Sequence, residues 1–477
     1  MTPGIKNTSN LLLTLLKDVQ KAHAKGRSYR VYPDCISREG AGLRVHKPCI
    51  SEEMEPDEDL FYLASAFSFL LTGRAFGFAT LLDGVADDHF QTVPARLRQV
   101  LEQMAFDRTV DIRSLIGQVE ALSNILEHDP QAYTCFRRNR YRNQVYQGVA
   151  GKGPLSLKSI WQYAAQGKMY CSPLVHGDSV YVASFDHHLY VLDKNDGTLI
   201  DRIALFAIME GTPFIQGDYL FIGDDAGNAV SLDITFHQVK HVRNLGAMVR
   251  TSPLATGDAV FFGTRQGTLH ALSQPELKPL WKVQRPGWLF ASPCQTPDND
   301  IFCLWDKGQA ALLDAKTGRV KWQKDMEATI RATPAVSGNH IFVLDYQGRI
   351  TVMDGRTGDI KAQARDLSEF FASPCVDNDQ VVAAGLDGRL YAFAFKDNTL
   401  EREWSRKFQA PIVSSPVIVD NAIVVMLENG ALYLVDRADG RIQRRLAKSG
   451  MTRATPCLDG LRLYTVCHNI IHCYTIT

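Results

Sequence analysis

The chain has 477 residues, with 52 Lys and Arg against 52 Asp and Glu, so its formal net charge is zero. That balance argues against a generally basic nucleic-acid coat and against a polyacidic tail. Hydrophobic residues make up 45% and charged residues 22%, enough apolar matter for a packed core in two to four domains, yet no apolar run is long enough to cross a bilayer. The apolar stretch Leu11–Leu16 is too short for a secretion signal and runs into Lys17 and Asp18. The ten cysteines contain no Cys-x-x-Cys pair. In a chain of this length they read as reduced thiols, and the expected location is the cytoplasm.

Residues 1–130 show helical periodicity and read as a small, mainly α domain. Leu11–His23 and Leu60–Leu71 are the expected helices, and Pro94–Leu126 holds two more. The run Leu15–Gly26 resembles the helix before the catalytic loop of a bacterial Ser/Thr protein kinase. Asp59-Leu60-Phe61-Tyr62-Leu63-Ala64 and Leu70-Leu71-Thr72-Gly73-Arg74 resemble a later segment of that kinase lobe, and Arg96–Leu122 its closing helices. The catalytic groups implied by this resemblance are missing. In Tyr29-Arg30-Val31-Tyr32-Pro33-Asp34-Cys35 the Arg is kept at Arg30, but Val31 stands at the base position and Cys35 at the metal-binding Asn, with one residue fewer. No Asp-Phe-Gly follows, and no Gly-rich loop or strand Lys is present. Phosphoryl transfer depends on positioning Mg²⁺ and phosphates, so the expectation is a degenerate lobe used for packing or docking.

Residues 131–157 form a connector in which Arg137, Arg138, Arg140 and Arg142 alternate with Phe136, Tyr141 and Tyr146. It reads as a solvated linker or as a strip packed on the following domain. The functional alternative is a contact with nucleic acid or an acidic partner, and nucleic acid is expected only through these four arginines. Gly148–Lys152 has the wrong spacing for a phosphate loop.

From residue 158 onward the chain repeats. A Ser-Pro or Thr-Pro pair recurs with its proline at 173, 213, 253, 293, 334, 374, 416 and 456. Within each unit, short β-branched and aromatic runs alternate with Gly, Asn and Asp turns, as in Ser179–Ala183, Asp186, Leu189–Asp193 and Asp196-Gly197. Four strands repeated eight times make an eight-bladed β-propeller over residues 158–477. Small Ser or Thr suits the narrow channel, and Pro suits the open edge of the first strand. Trp281, Trp322 and Trp404 recur near the fourth strand and should bury a flat surface between blades. The last unit stops after three strands, whereas Ser159–Tyr163 precedes the first anchor without partners, so this strand is expected to complete the last blade.

Asp314-Ala315-Lys316-Thr317-Gly318-Arg319-Val320-Lys321-Trp322 resembles the signature of the PQQ-like (quinoprotein, BamB-like) propeller repeat, and Asp354–Gly358 and Asp436–Gly440 are weaker copies. The resemblance implies the fold and leaves the role open. Quinone-dependent dehydrogenases of this kind carry a vicinal Cys-Cys, which is missing here, and no cofactor is expected. Cys467-His468 and His472-Cys473 lie on neighbouring strands whose alternate faces prevent all four from converging on a metal, and His187-His188 fails likewise.

One candidate site remains. The residue three before each anchor proline should lie at one mouth of the channel: Tyr170, Glu210, Arg250, Phe290, Arg331, Phe371, Val413 and Arg453. Three Arg and three aromatics against one Glu suit a planar or anionic ligand or an acidic loop of a partner, while the plainer reading is a polar rim that packs locally. The expectation for the whole chain is a non-catalytic protein-interaction scaffold in a bacterial signalling or defence system. The alternative is a small-molecule sensor or quinone-dependent oxidoreductase using Tyr170, Arg250, Phe290, Arg331, Phe371 and Arg453.

Overall fold

The computed structural model describes residues 5–25, 27–30, 36–39, 42–45, 49–51, 60, 62–66, 101, 104, 112–116, 133–147, 155–365, 367–377, 379–446 and 450–476. The chain divides into two compact units, one of residues 1–130 with Asp233–Gln238, the other of the remainder.

The first unit opens with the helix Ile5–His23. Leu12, Leu15, Leu16 and Val19 fall on one face at helical spacing and are buried, which is why this segment is a helix. Lys21 and His23 in its last turn complement the negative end of the helix dipole. Two short antiparallel pairs follow that helical periodicity did not reveal: Ser28–Arg30 with Cys49–Ser51, and Ile36–Glu39 with Gly42–Val45. Arg30 ends the first of these strands, whereas Val31, Cys35 and Asp59 lie outside the described residues.

The second unit is an eight-bladed β-propeller of four-stranded antiparallel blades. Blade 1 is representative. Leu174–His176 pairs with Ser179–Ala183, then His188–Asp193, then Leu199–Ala204 at the outside. The inner strands are apolar and buried on both faces, because neighbouring blades cover them, whereas the outer strands alternate with exposed residues. The last sheet takes its fourth strand from the other end of the unit: Leu157–Ala164 pairs with Ile470–Ile476, with Trp161 opposite Cys473. A circle closed this way leaves no blade short of a strand.

Two devices join blade to blade. The first is the turn that the repeat signature encodes. Asp314 Oδ1 accepts bonds from the Lys316 and Thr317 amides and the Thr317 hydroxyl, and Gly318 follows with φ 71°. The ring of Trp281 from the preceding blade lies on this glycine, so close that a Cβ there would stand 2.7 Å from Trp281 Cδ2. Its Nε1 donates to Ala315 O at 3.1 Å. Trp322 meets Gly358, Trp404 meets Gly440 and Trp161 meets Gly197 in the same way, the last across the closure.

The second device is a belt around the channel. The Ser172 amide donates to Thr212 Oγ1 at 3.0 Å, Thr212 to Ser252, Ser252 to Ser292, Ser292 to Thr333, Thr333 to Ser373, Ser373 to Ser415 and Ser415 to Thr455. Thr455 donates back to Ser172 Oγ at 2.9 Å and closes the ring. The Ser or Thr before each anchor proline is therefore an acceptor for a neighbouring blade's buried amide, beyond being small enough for the channel.

The arginine-rich connector is built into this unit. Tyr133–Thr134 pairs antiparallel with Phe214–Gln216, and Val145–Tyr146 pairs in parallel with Val417–Val419, so blades 2 and 7 each gain a fifth, innermost strand. The innermost edges of a propeller present unpaired backbone groups, and this segment satisfies several of them.

Candidate functional site

The connector stoppers the channel. Arg142 is fully buried and donates to four carbonyls: Phe136 and Pro293 at 3.0 Å, Ser252 at 3.2 Å and Pro253 at 2.6 Å. Arg137 is buried and donates to Pro374 O, Gln144 donates to Pro456 O, and the Cys375 thiol to Gln144 O. Arg138 lies over the Tyr146 ring at 4.6 Å, and Arg140 donates to Gln216 at 3.2 Å. Of the two readings, the strip packed on the propeller is the one seen for this segment. Arg137 and Arg142 are enclosed and cannot reach a nucleic acid. Burial lowers the pKa of Arg137 to about 10 and that of Arg142 in the same direction, so Arg137 stays charged at neutral pH. The nearby thiols of Cys135 and Cys294 are pushed up by burial, to about 11 and about 12, and stay neutral. No carboxylate bonds to either guanidinium among the described residues, and Nε and Nη1 of Arg137 have no hydrogen-bond partner.

Above this stopper the channel opens as a cup of about 290 Å³. Phe136 forms its floor, with Arg142 beneath the ring at 5.7 Å. The serine and threonine belt forms the wall, and the rim gathers Tyr170, Glu210, Arg250, Phe290, Arg331, Phe371, Val413 and Arg453. The rim residues turn inward because the residue before each of them, such as Met169, Val249, Leu289 or Phe370, is buried between blades. Alternation along an extended segment does the rest.

The rim is less uniform than its sequence suggests. Arg250 makes two bonds to Asp225, at 2.7 and 2.6 Å, and one to Glu210 at 2.9 Å, so its charge is spent within the rim. These bonds, with Asp225 first, raise its pKa. Burial raises that of Glu210, and the Arg250 charge opposes the rise. Arg331 and Arg453 pack on rings instead, Arg331 over Phe290 at 4.8 Å and Tyr346 at 5.3 Å, Arg453 over Tyr170 at 5.2 Å.

Arg265 belongs to the cup and escaped the sequence reading. It lies 5.0 Å from the Phe290 ring and 4.8 Å from that of Trp288. It occupies a second ring of positions, the turn after each blade's second strand: Phe185, Asp225, Arg265, Asp306, Tyr346, Leu386, Glu428 and His468. The amide of each bonds to the carbonyl two residues before the rim residue, as Arg265 N does to Met248 O at 2.9 Å. The same period of about forty residues marks this ring in the sequence and could have exposed it. Cys467, His468, His472 and Cys473 do not gather, since His472 faces Thr465 and Cys473 faces Tyr464 in the strand register.

An eight-bladed propeller with a cup on its axis defines the class of protein, a ring-shaped fold that hosts many unrelated functions. The sequence profile of the outer membrane protein assembly factor BamB matches residues 156–235 and 238–446, more than half of the chain. The chain belongs to that family. No curated protein matches it in sequence. Among solved structures, BamB from Moraxella catarrhalis is similar at 19% identity and TM-score 0.58, over 67% of this chain and all of that one. The quinohemoprotein alcohol dehydrogenase of Comamonas testosteroni is similar at 12% identity and TM-score 0.61, over 75% of this chain and 83% of that one. A computationally designed protein, Ika8, is similar at 15% identity and TM-score 0.58, over 66% and 99%. One fold thus serves an assembly factor, an oxidoreductase and a design, and it assigns no chemistry by itself. No helix among the described residues is long and apolar enough to cross a membrane.

Proposed function

We propose that the chain is a non-catalytic interaction module, a scaffold or adaptor that engages a protein partner through the cup face of its propeller. The observation that carries this reading is the chemistry of the cup. Its walls offer guanidinium groups and aromatic rings, which hold things. The groups that would react are engaged: Glu210 is held by Arg250, and the belt hydroxyls already accept backbone amides. The volume also favours a protein tip over a large cofactor, since about 290 Å³ lies at the bottom of the range for small-molecule pockets, ~300–1,000 Å³. Membership of a family described as assembly factors supports the same role. So does the first unit's sequence, where a kinase-like lobe carries Val31 and Cys35 in place of catalytic groups. The eight described cysteines are free thiols, which supports a reducing, cytoplasmic setting in a bacterial signalling or defence assembly.

Native mass spectrometry on protein purified gently from its own host tests the proposal. A second protein bound at defined stoichiometry supports it. A bound small molecule that disappears when Arg331 and Arg453 become Ala overturns it in favour of a ligand sensor or oxidoreductase.

A further inference from the structure

We infer that the cup receives an acidic segment of the protein partner, one or two carboxylates flanked by apolar side chains. The inference rests on the interaction role proposed above and names its chemistry.

The first ground is charge along the propeller axis. Arg265, Arg331 and Arg453 line the cup, and Arg137 and Arg142 lie in the stopper below it. None of these five guanidiniums forms an ion pair among the described residues, in contrast to Arg250, which is held by Asp225 and Glu210. The Nε atoms of Arg265 and Arg331 are buried without a hydrogen-bond partner. Of the other carboxylates on this face, Asp306 accepts the Trp288 amide at 2.6 Å, and Glu369 and Glu428 form no ion pair with these arginines among the described residues. Glu210 feels the charges of Arg265 and Arg453 across the cup yet bonds to neither, so their donors stay open; a recessed site with low-dielectric walls focuses the field of such cations, and guanidinium forks match carboxylates in two-bond geometry.

The second ground is the lip. Met248, Trp288 and Met451 each stand two residues before a rim arginine or aromatic, and they are 39%, 44% and 51% exposed. Large apolar side chains around a cationic cup fit a peptide whose acidic residue enters while its apolar neighbours rest on the lip. A free inorganic anion would satisfy the arginines and leave the lip without purpose. The third ground is size, because a cup of about 290 Å³ holds one or two side chains and stops at Phe136.

A random peptide library panned on the full-length protein tests this. The expected result is recovery of peptides with Asp or Glu flanked by apolar residues. Binding of a recovered, fluorescently labelled peptide should fall roughly tenfold or more with Arg331→Gln plus Arg453→Gln, and equally when the peptide's acid becomes its amide. Arg319→Gln, on an exposed outer turn, should leave binding unchanged. Arg331→Lys plus Arg453→Lys keeps the charge and loses the fork, so it should fall between, and it serves if the Gln pair melts early. Recovery of peptides without acids, or equal binding to the Gln pair, would overturn the inference. So would inorganic phosphate producing the full Trp288 fluorescence change while the peptide adds nothing. Should a partner found by native mass spectrometry stay bound to the Gln pair, the interaction role stands and the cup inference falls.

Discussion

Ser292→Ala isolates one bond of the channel belt. The Ser252 amide donates to Ser292 Oγ at 2.9 Å, and both residues are buried. Removing the hydroxyl leaves that buried amide without its acceptor. An unsatisfied buried donor costs about 1–3 kcal/mol, more than the ~1 kcal/mol that a typical hydrogen bond contributes net. The cavity left by one oxygen is too small to add much. Threonine is the internal control, since Thr212, Thr333 and Thr455 hold the same position in other blades and accept the same bond. Ser292→Thr should therefore lie within about 0.5 kcal/mol of the parent. In calorimetry Ser292→Ala should lower the propeller transition by about 2–5 °C, given the unfolding entropy of a unit this large. Hydrogen exchange gives the local readout, because the Ser252 amide should exchange faster in the Ala variant and not in the Thr variant. Equal stability of Ala and parent, or equal damage from Ala and Thr, would show that the belt is a matter of size alone.

Four further outcomes are expected. Gly197→Ala should destabilise by about 2–5 kcal/mol, because an L residue at φ 77° is strained and its Cβ would stand 2.5 Å from Trp161. Gly177→Ala, at φ 56° with nothing within 4 Å, should cost only ~1–2 kcal/mol, as paired denaturant titrations would show. Arg142→Met should cost about 3 kcal/mol or more by stripping four carbonyls of their donor, and residues 133–147 should lose protection from hydrogen exchange before the blades do. His270 is held down to about 4 by burial, with the facing Lys282 adding to it, so the unfolded chain binds its proton first. Its contribution is present above the ordinary value near 6.5 and is lost as pH falls toward 4; denaturation midpoints should drop over that window, and less steeply in His270→Gln.

The blade count was legible because the cause of the fold is local and repeated. Each Ser-Pro or Thr-Pro anchor, each Gly turn and each β-branched run acts within about forty residues, and eight copies reinforce one another. The rim was legible for the same reason, since equal spacing from the anchors places Tyr170, Arg250, Phe290, Arg331, Phe371 and Arg453 at one level of the axis.

What no local pattern carries was decided by the tertiary structure. The run Phe136–Tyr146 has the composition of a solvated linker, and its burial depends on carbonyls of Ser252, Pro253, Pro293, Pro374 and Pro456 converging from blades far along the chain. Only a closed ring aims those carbonyls at one axis, and only there does a buried guanidinium find enough acceptors to replace water. Arg250 and Arg265 are alike in sequence, yet Asp225 neutralises the first while the second rests on rings. The period of the repeat thus determined the ring and its rim. Long-range packing decided which end of the channel is shut, and which charges at the other end are paired.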